Sequence, residues 1–520
     1  MKTFYKVLIF LIFFFSGMTG SSQILVPLET DYSRTLENWA IVNEINIPTF
    51  TKPVSVEFLG KIVNTDSLFA FGTYQPNEKK SWFIRKLCYE NFLRVDTSDF
   101  SIALDPLFNL QLERDASSGK HWFTNTRGIR IFGRVGSELF FESSFYENQA
   151  TFPSYLSDYV NSSMVVPGQG FIRNFGSFDY SNASGSLYYQ AGKHFEFSIG
   201  HGKFFIGDGY RSLLLSDNSF NFPYFRVTAN FEKFQYTRIM AVLMSDSTPV
   251  TSFGTREKKL AGFNILTFSP NYWFQFSFFE GTIWKYPNSD KNIHFDANYL
   301  NPVIFINSAL PGVDCKSVFG TGLKINILKE IQLYNQIAAD KTYTGSNSGI
   351  HFYWQAGAKY FNAFSLTHLY LQAEFNTSQK NAYENESDLL AYSHYYQPLA
   401  HPLGNNFKEW ILKAHYDLKR WQFNSQFNFA NYGSDTLNTN LNNNSGVNIY
   451  KFQIPFIGKG QQVNLFYNDF SIAYLINPKT NMRLEAGCVS RNSIYAGTKH
   501  DLTYFYISFI TSLTNWYFDF

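Results

Sequence analysis

The chain has 520 residues and carries 57 Phe, 34 Tyr and 9 Trp, so aromatics make up 19% of it and charged residues only 16%, against about 25% charged in soluble globular domains. Mean hydropathy is nonetheless −0.21, because polar Asn, Ser, Gln and Thr dilute the aromatics. That mixture argues against a helical membrane protein built on apolar runs of about 20 residues. The near-balance of 43 basic and 41 acidic residues offers no electrostatic footprint for nucleic acid.

Residues 1–22 read as a secretory signal peptide. Lys2 and Lys6 give a positive start, Val7 to Phe15 a short apolar stretch, and Gly20 and Ser22 the small residues of a cleavage site before Gln23. No Cys follows the apolar stretch, so a lipoprotein is not indicated. Cys88, Cys315 and Cys488 are odd in number and far apart, which gives neither a disulfide framework nor a zinc spacing. Residues 23–97 read as a small periplasmic or lumen-plugging subdomain. Within it Ser81 to Arg94 has helical spacing, with Trp82, Ile84, Leu87, Cys88 and Phe92 apolar.

From 98 to 520 the dominant pattern has period 2. Phe274, Phe276 and Phe278 alternate with Gln275 and Ser277. Leu369, Leu371, Ala373 and Phe375 alternate with His368, Tyr370, Gln372 and Glu374. Leu412, Ala414, Tyr416 and Leu418 alternate with Lys413, His415 and Asp417, and Trp421, Phe423, Phe427 and Phe429 alternate with Gln422, Asn424, Gln426 and Asn428. Ionisable groups opposite an apolar face suit a polar lumen, and the dry side of a sandwich would not hold them. Asn376 to Lys408 is a long polar connection and Thr436 to Asn448 is Asn-rich. Such lengths carry function or disorder, and in barrels they are extracellular. Trp516, Phe518 and Phe520 alternate and read as a terminal barrel strand. At roughly 23 residues per strand and connection, the span holds about 16–18 strands. The expected fold is all-β: a transmembrane antiparallel β-barrel with a small N-terminal helical or plug subdomain.

The chain contains no G-x-S-x-G, H-E-x-x-H or phosphate-loop motif. Gly200 to Lys203 and Gly207 to Gly209 follow a strand-like stretch without a nucleotide-binding helix, which points to a tight turn or close backbone approach. His394 and His401 share one connection without a ligand spacing around them. Neither an enzyme nor a bound cofactor or metal is expected.

Several stretches resemble an outer-membrane barrel family of the Bacteroidetes, the RemB-like gliding-motility proteins, itself similar to the Wzi-like capsule-assembly barrels. They are Asn125 to Arg130, Phe145 to Gln149 with Phe152 and Pro153, Val166 to Gly170, and Gly200 to Lys203 running through Ile206 to Asp217. Asn301 to Phe305 and Gln397 to Gly404 follow. After Phe305 the chain departs from the pattern, reading Ile306, Asn307 and Ser308 where an arginine and a carboxylate are expected. The resemblance implies a non-enzymatic barrel that handles surface or capsular polysaccharide, with outer-membrane lipid and gliding or export machinery as partners. Sugar recognition needs aromatic faces and bidentate polar groups. Tyr210 and Arg211, with Asp208, Asp217 and Asn218 nearby, are candidates, as are Arg127, Arg130, Glu147, Gln149 and His401. The same charges also suit simple pairing across a lumen. The alternative function is a general diffusion porin or transport channel.

Overall fold

The computed structural model describes residues 25–55, 59, 68–69, 80–173, 176–245, 257–288, 293–309, 315–342, 349–385, 387–434, 461–495, 497–511 and 513–520. The expected signal peptide and the Asn-rich stretch from Thr436 lie outside the described residues.

Alternation at period 2 becomes a closed wall. Eighteen long strands, from Phe100–Asp115 to Thr498–Thr511, pair with their sequence neighbours in antiparallel register. The ring shuts where Tyr504 to Ile510 meet Asp115 to Asn109. A short strand, Leu93–Asp96, extends the wall below that seam by pairing with Ser101 to Leu104. Closure leaves no edge to hydrogen-bond with water, the condition for a sheet in a bilayer. On most strands the outward face is apolar: Leu112, Trp410 and Phe505 are 66%, 54% and 58% exposed. The other face points inward, where Gln372, Glu374 and Asn376 are buried.

Connections at the end where the ring starts and finishes are short, for example 192–194, 232–233, 272–273 and 419–420. Several at the opposite end are long, among them 152–177, 203–221 and 379–406. These three fold into the barrel, whereas the connection after Phe274–Lys285 packs on the outer face, where the Phe305 amide donates to Glu280 at 2.9 Å. Leu213, Leu214 and Leu215 from one, Tyr392 and Leu399 from another, and Tyr159 and Val160 from a third form a buried apolar cluster with lumen-facing wall residues. The lumen is therefore a packed core over much of its height, where alternation alone predicts a polar channel. Apolar residues of inserted loops bury on one another and displace water.

The helix Thr30–Val42 closes the short-turn end. Asp31, Arg34 and Glu37 recur every third residue and share one helix face. That face meets the wall. Asp31 pairs with Arg483 at 2.8 Å, Arg34 bonds His415 at 2.8 Å, and Glu37 sits between Lys359 at 2.5 Å and Lys52 at 3.3 Å. Tyr32, Leu36 and Ala40 recur every fourth residue and pack on Val26, Ile47 and Val54. Beyond the helix, Thr51–Lys52 pairs with Phe205–Ile206 of the inserted loop.

Two expectations are corrected. The segment 513–520 is not a strand: it turns into the lumen, where Tyr517, Asp519 and Phe520 are buried. Its alternation serves two interior surfaces, with Phe518 and Phe520 packing on Phe152 and Tyr159 of a loop. The helical stretch expected over Ser81 to Arg94 is a helix only at Trp82–Cys88, none of whose residues is buried, and it runs on into the wall strand Leu93–Asp96. Its backbone is held at the rim by Asn477, whose amide donates to the Lys86 and Glu90 carbonyls.

Burial alone raises the Glu37 carboxyl, but the Lys359 and Lys52 ammoniums outweigh it and hold it below its ordinary value of 4.5. A depressed carboxyl contributes stability that is fully present above the unfolded value and lost as pH falls. Docking of the plug helix is thus expected to weaken below about pH 4.5, read as pH-dependent protease sensitivity of residues 25–55 in the folded barrel. Truncation after Thr511 should leave the ring closed, with heat-modifiable migration retained. It should also lower the melting temperature and raise ion leakage across planar bilayers.

Candidate functional site

The 203–221 connection, which contains the stretch Gly207 to Asp217, crosses the lumen. Gly207 has φ +137°, and a Cβ there would lie 2.0 Å from the Gln336 amide nitrogen of the far wall. A Cβ on Gly209 would lie 2.6 Å from a Glu374 oxygen. These two glycines let the backbone press against the wall. The amides of Tyr210 and Arg211 donate to the Glu374 carboxylate at 2.7 and 3.0 Å. Gln336 closes the loop by accepting from the Leu213 amide at 3.0 Å and donating to the Ile206 carbonyl at 3.0 Å.

Arg211 is the centre of this arrangement and is 1% exposed. Its Nη2 lies 3.2 Å from Glu409 and 3.0 Å from Asp519. The guanidinium carbon stands 4.9 Å from the Tyr210 ring and 5.2 Å from the Tyr517 ring. A cation beside aromatic faces suits arginine. The Tyr210 hydroxyl donates to Asp519 at 3.0 Å. His401 bonds the second Glu409 oxygen at 2.7 Å, and burial pushes its imidazole below the ordinary value although Glu409 opposes the shift. Asp217 accepts from Tyr517 at 2.7 Å and Asn515 at 3.0 Å. Burial raises its carboxyl against those partners and Lys203. Asp208 accepts from Thr49, with Lys324 at 3.9 Å. Asn218 donates to the Pro398 carbonyl at 3.2 Å.

Of the residues singled out from sequence, then, Asp208, Tyr210, Arg211, Asp217 and His401 come together in a buried lock joining the inserted loops, the plug segment and 513–520. Arg130 lies elsewhere in the lumen, its Nε 2.9 Å from Glu142. Arg127, Glu147 and Gln149 are not in the lumen: they are exposed on the outer face, where Arg127 and Glu147 are register partners on adjacent strands. Missed from sequence were Glu374 and Glu409, whose place opposite an apolar strand face was a usable signal. Asp519 was missed because its segment read as a strand.

Two chambers remain on either side of 513–520, and Thr514 and Trp516 line both. The smaller, about 180 Å³, is walled by Trp516, Tyr146, Tyr224, Arg130 and Glu142. Asn109 faces it with a buried side-chain oxygen that accepts no hydrogen bond among the described residues. The larger, about 280 Å³, holds Lys413, Asp469, Arg483, Glu485 and Tyr506. Aromatic faces beside amides, hydroxyls and paired charges suit a polyhydroxylated ligand.

The fold matches a known architecture. Wzi of Escherichia coli is an outer-membrane protein involved in group 1 capsule assembly and a carbohydrate-binding β-barrel. It superposes with a TM-score of 0.57 at 13% identity, over 94% of this chain and 100% of its own. The chain has an outer-membrane β-barrel fold. OpdK and OprD of Pseudomonas aeruginosa match with TM-scores of 0.45 and 0.42, at 8% and 12% identity. Each match covers 78% of this chain, and 98% and 92% of the respective neighbours. No family model and no curated protein matches the sequence.

Removing one partner of a buried ion pair costs about 3–5 kcal/mol. Arg211→Met strands the Glu409 and Asp519 carboxylates and is expected to destabilise the barrel by that order. Thermal unfolding in detergent checks this, and adding Glu409→Gln should recover part of the loss.

Proposed function

We propose that the chain is a non-enzymatic outer-membrane barrel that binds or anchors surface polysaccharide, in capsule assembly or as a gliding-associated surface component. One observation carries the reading: the lumen is crossed by a plug helix, an inserted loop and the 513–520 segment, all joined by buried ion pairs. A diffusion porin needs a continuous aqueous passage, and this filling opposes one. The fold shared with Wzi, a carbohydrate-binding barrel, supports the same reading.

In this reading the signal peptide delivers the chain, lipid covers the outward apolar belt, the short turns face the periplasm and the long connections face the cell exterior. Gliding or export machinery would be met at one of the two rims.

The test pairs two measurements on the purified barrel. Planar bilayers are expected to show no large steady conductance, and surface polysaccharide extracted from the producing cell is expected to retain the protein on a column. Large steady channels together with no retention would overturn the proposal in favour of a porin.

A further inference from the structure

The wall is not level at the long-connection end. The strand Phe195–Gly202 has 8 residues, whereas its neighbour Phe178–Ala191 has 14 and pairs with it only from Gly185 onward. Above Gly202 the barrel has a low sector. Asn221 caps the open strand edge there, donating to Asn182 at 2.8 Å and to the Ala183 carbonyl at 3.0 Å.

Three loops meet over this sector and bring partly exposed rings together. Tyr395 lies 4.8 Å from Phe171 and 5.5 Å from Phe220, edge to face in both cases. The family-like motifs build the junction: Gln397 accepts from the Gly168 amide at 2.7 Å and donates to the Gln169 carbonyl at 2.9 Å. A Cβ on Gly170 would press within 3.3 Å of the Phe220 ring.

Tyr395 and Tyr396 form the two-residue turn between Ser393–His394 and Gln397–Pro398, with φ +53° and +59°. A hairpin turn with both central residues left-handed favours Asn-Gly. A tyrosine there costs stability, and such strain concentrates at ligand clamps. Tyr396 has a packing reason, since it is 1% exposed in the interior core. Tyr395 stays partly exposed beside Phe171, Phe220 and His394.

Beside the rings runs a polar strip on the outer face. Arg173 donates to Ser181 at 2.9 Å, and Ser181, Glu147 and Arg127 are register neighbours on three consecutive strands. Gln149 joins it by donating to Ser177 at 3.1 Å. Next below on the same face come Ile129 and Phe145, exposed members of the apolar belt.

We propose that this low sector is a pyranose-binding shelf on the outside of the rim, with the Tyr395 ring, braced edge to face by Phe171 and Phe220, stacking on the apolar sugar face and Arg173, Glu147 and Arg127 bonding its hydroxyls. The inference rests on the polysaccharide reading above and places the polymer on the outer rim, away from the lumen. The sugar comes either from free polysaccharide or from a glycolipid of the outer leaflet.

Affinity is measured on the full-length barrel in detergent with delipidated surface polysaccharide, and separately with lipopolysaccharide vesicles. Tyr395→Asn keeps a residue that tolerates the left-handed turn and removes the ring. Its melting temperature is expected unchanged or higher, with affinity down about tenfold, whereas Tyr395→Phe stays within about twofold. Tyr395-dependent binding to either probe supports the shelf and names the source of the sugar. Wild-type binding that Tyr395→Asn leaves intact overturns the shelf while polysaccharide binding stands. No wild-type binding to either probe overturns both. Should Tyr395→Asn fail to fold, Arg127→Gln with Glu147→Gln, outside the packed core, is expected to lower affinity severalfold, and unchanged affinity overturns the shelf.

Discussion

Arg211 enters the lumen on a loop and meets Glu409 of one wall strand and Asp519 of the 513–520 segment, with tyrosine rings close to its guanidinium. Three parts of the chain far apart in sequence are thereby held by one cation. A buried charge is tolerated only when paired and hydrogen-bonded, so the loop, the strand and the segment are mutually required. The Glu374 carboxylate secures the same loop by accepting two consecutive backbone amides.

The plug helix repeats this logic at the short-turn end. Its charged face spends Asp31, Arg34 and Glu37 on three wall strands, and its apolar face packs on the segment that follows. Polar pairing docks the inserted pieces to part of the wall. Apolar contact of those pieces with one another and with inward wall residues such as Phe263, Phe279 and Ile283 fills another part.

The outer surface obeys a different constraint. Outward side chains are apolar along the belt, and polarity returns toward the long-connection rim, where Arg127, Glu147 and Gln149 lie. The low sector above Gly202 interrupts that rim, and the partly exposed rings and strained Tyr395 gather there.

Much of the wall was legible in the sequence because a pleated strand has a period of two, and lipid outside with polar groups inside writes that period directly into Trp421 to Phe429 or Leu369 to Phe375. The glycines at 207 and 209 signalled a close backbone approach for the same local reason. What period 2 cannot carry is where an alternating segment goes. Trp516 to Phe520 has a strand's pattern, yet it lies between two interior surfaces because Arg211, supplied from a loop far earlier in the chain, awaits Asp519 there. Likewise Arg127 and Arg130, three residues apart in one strand, point to opposite sides of the wall, one exposed outside and the other paired with Glu142 in the lumen. Local sequence determined the strands and their faces; only the closed tertiary structure, by bringing distant charges within reach, decided which groups became the lock and which were left on the surface.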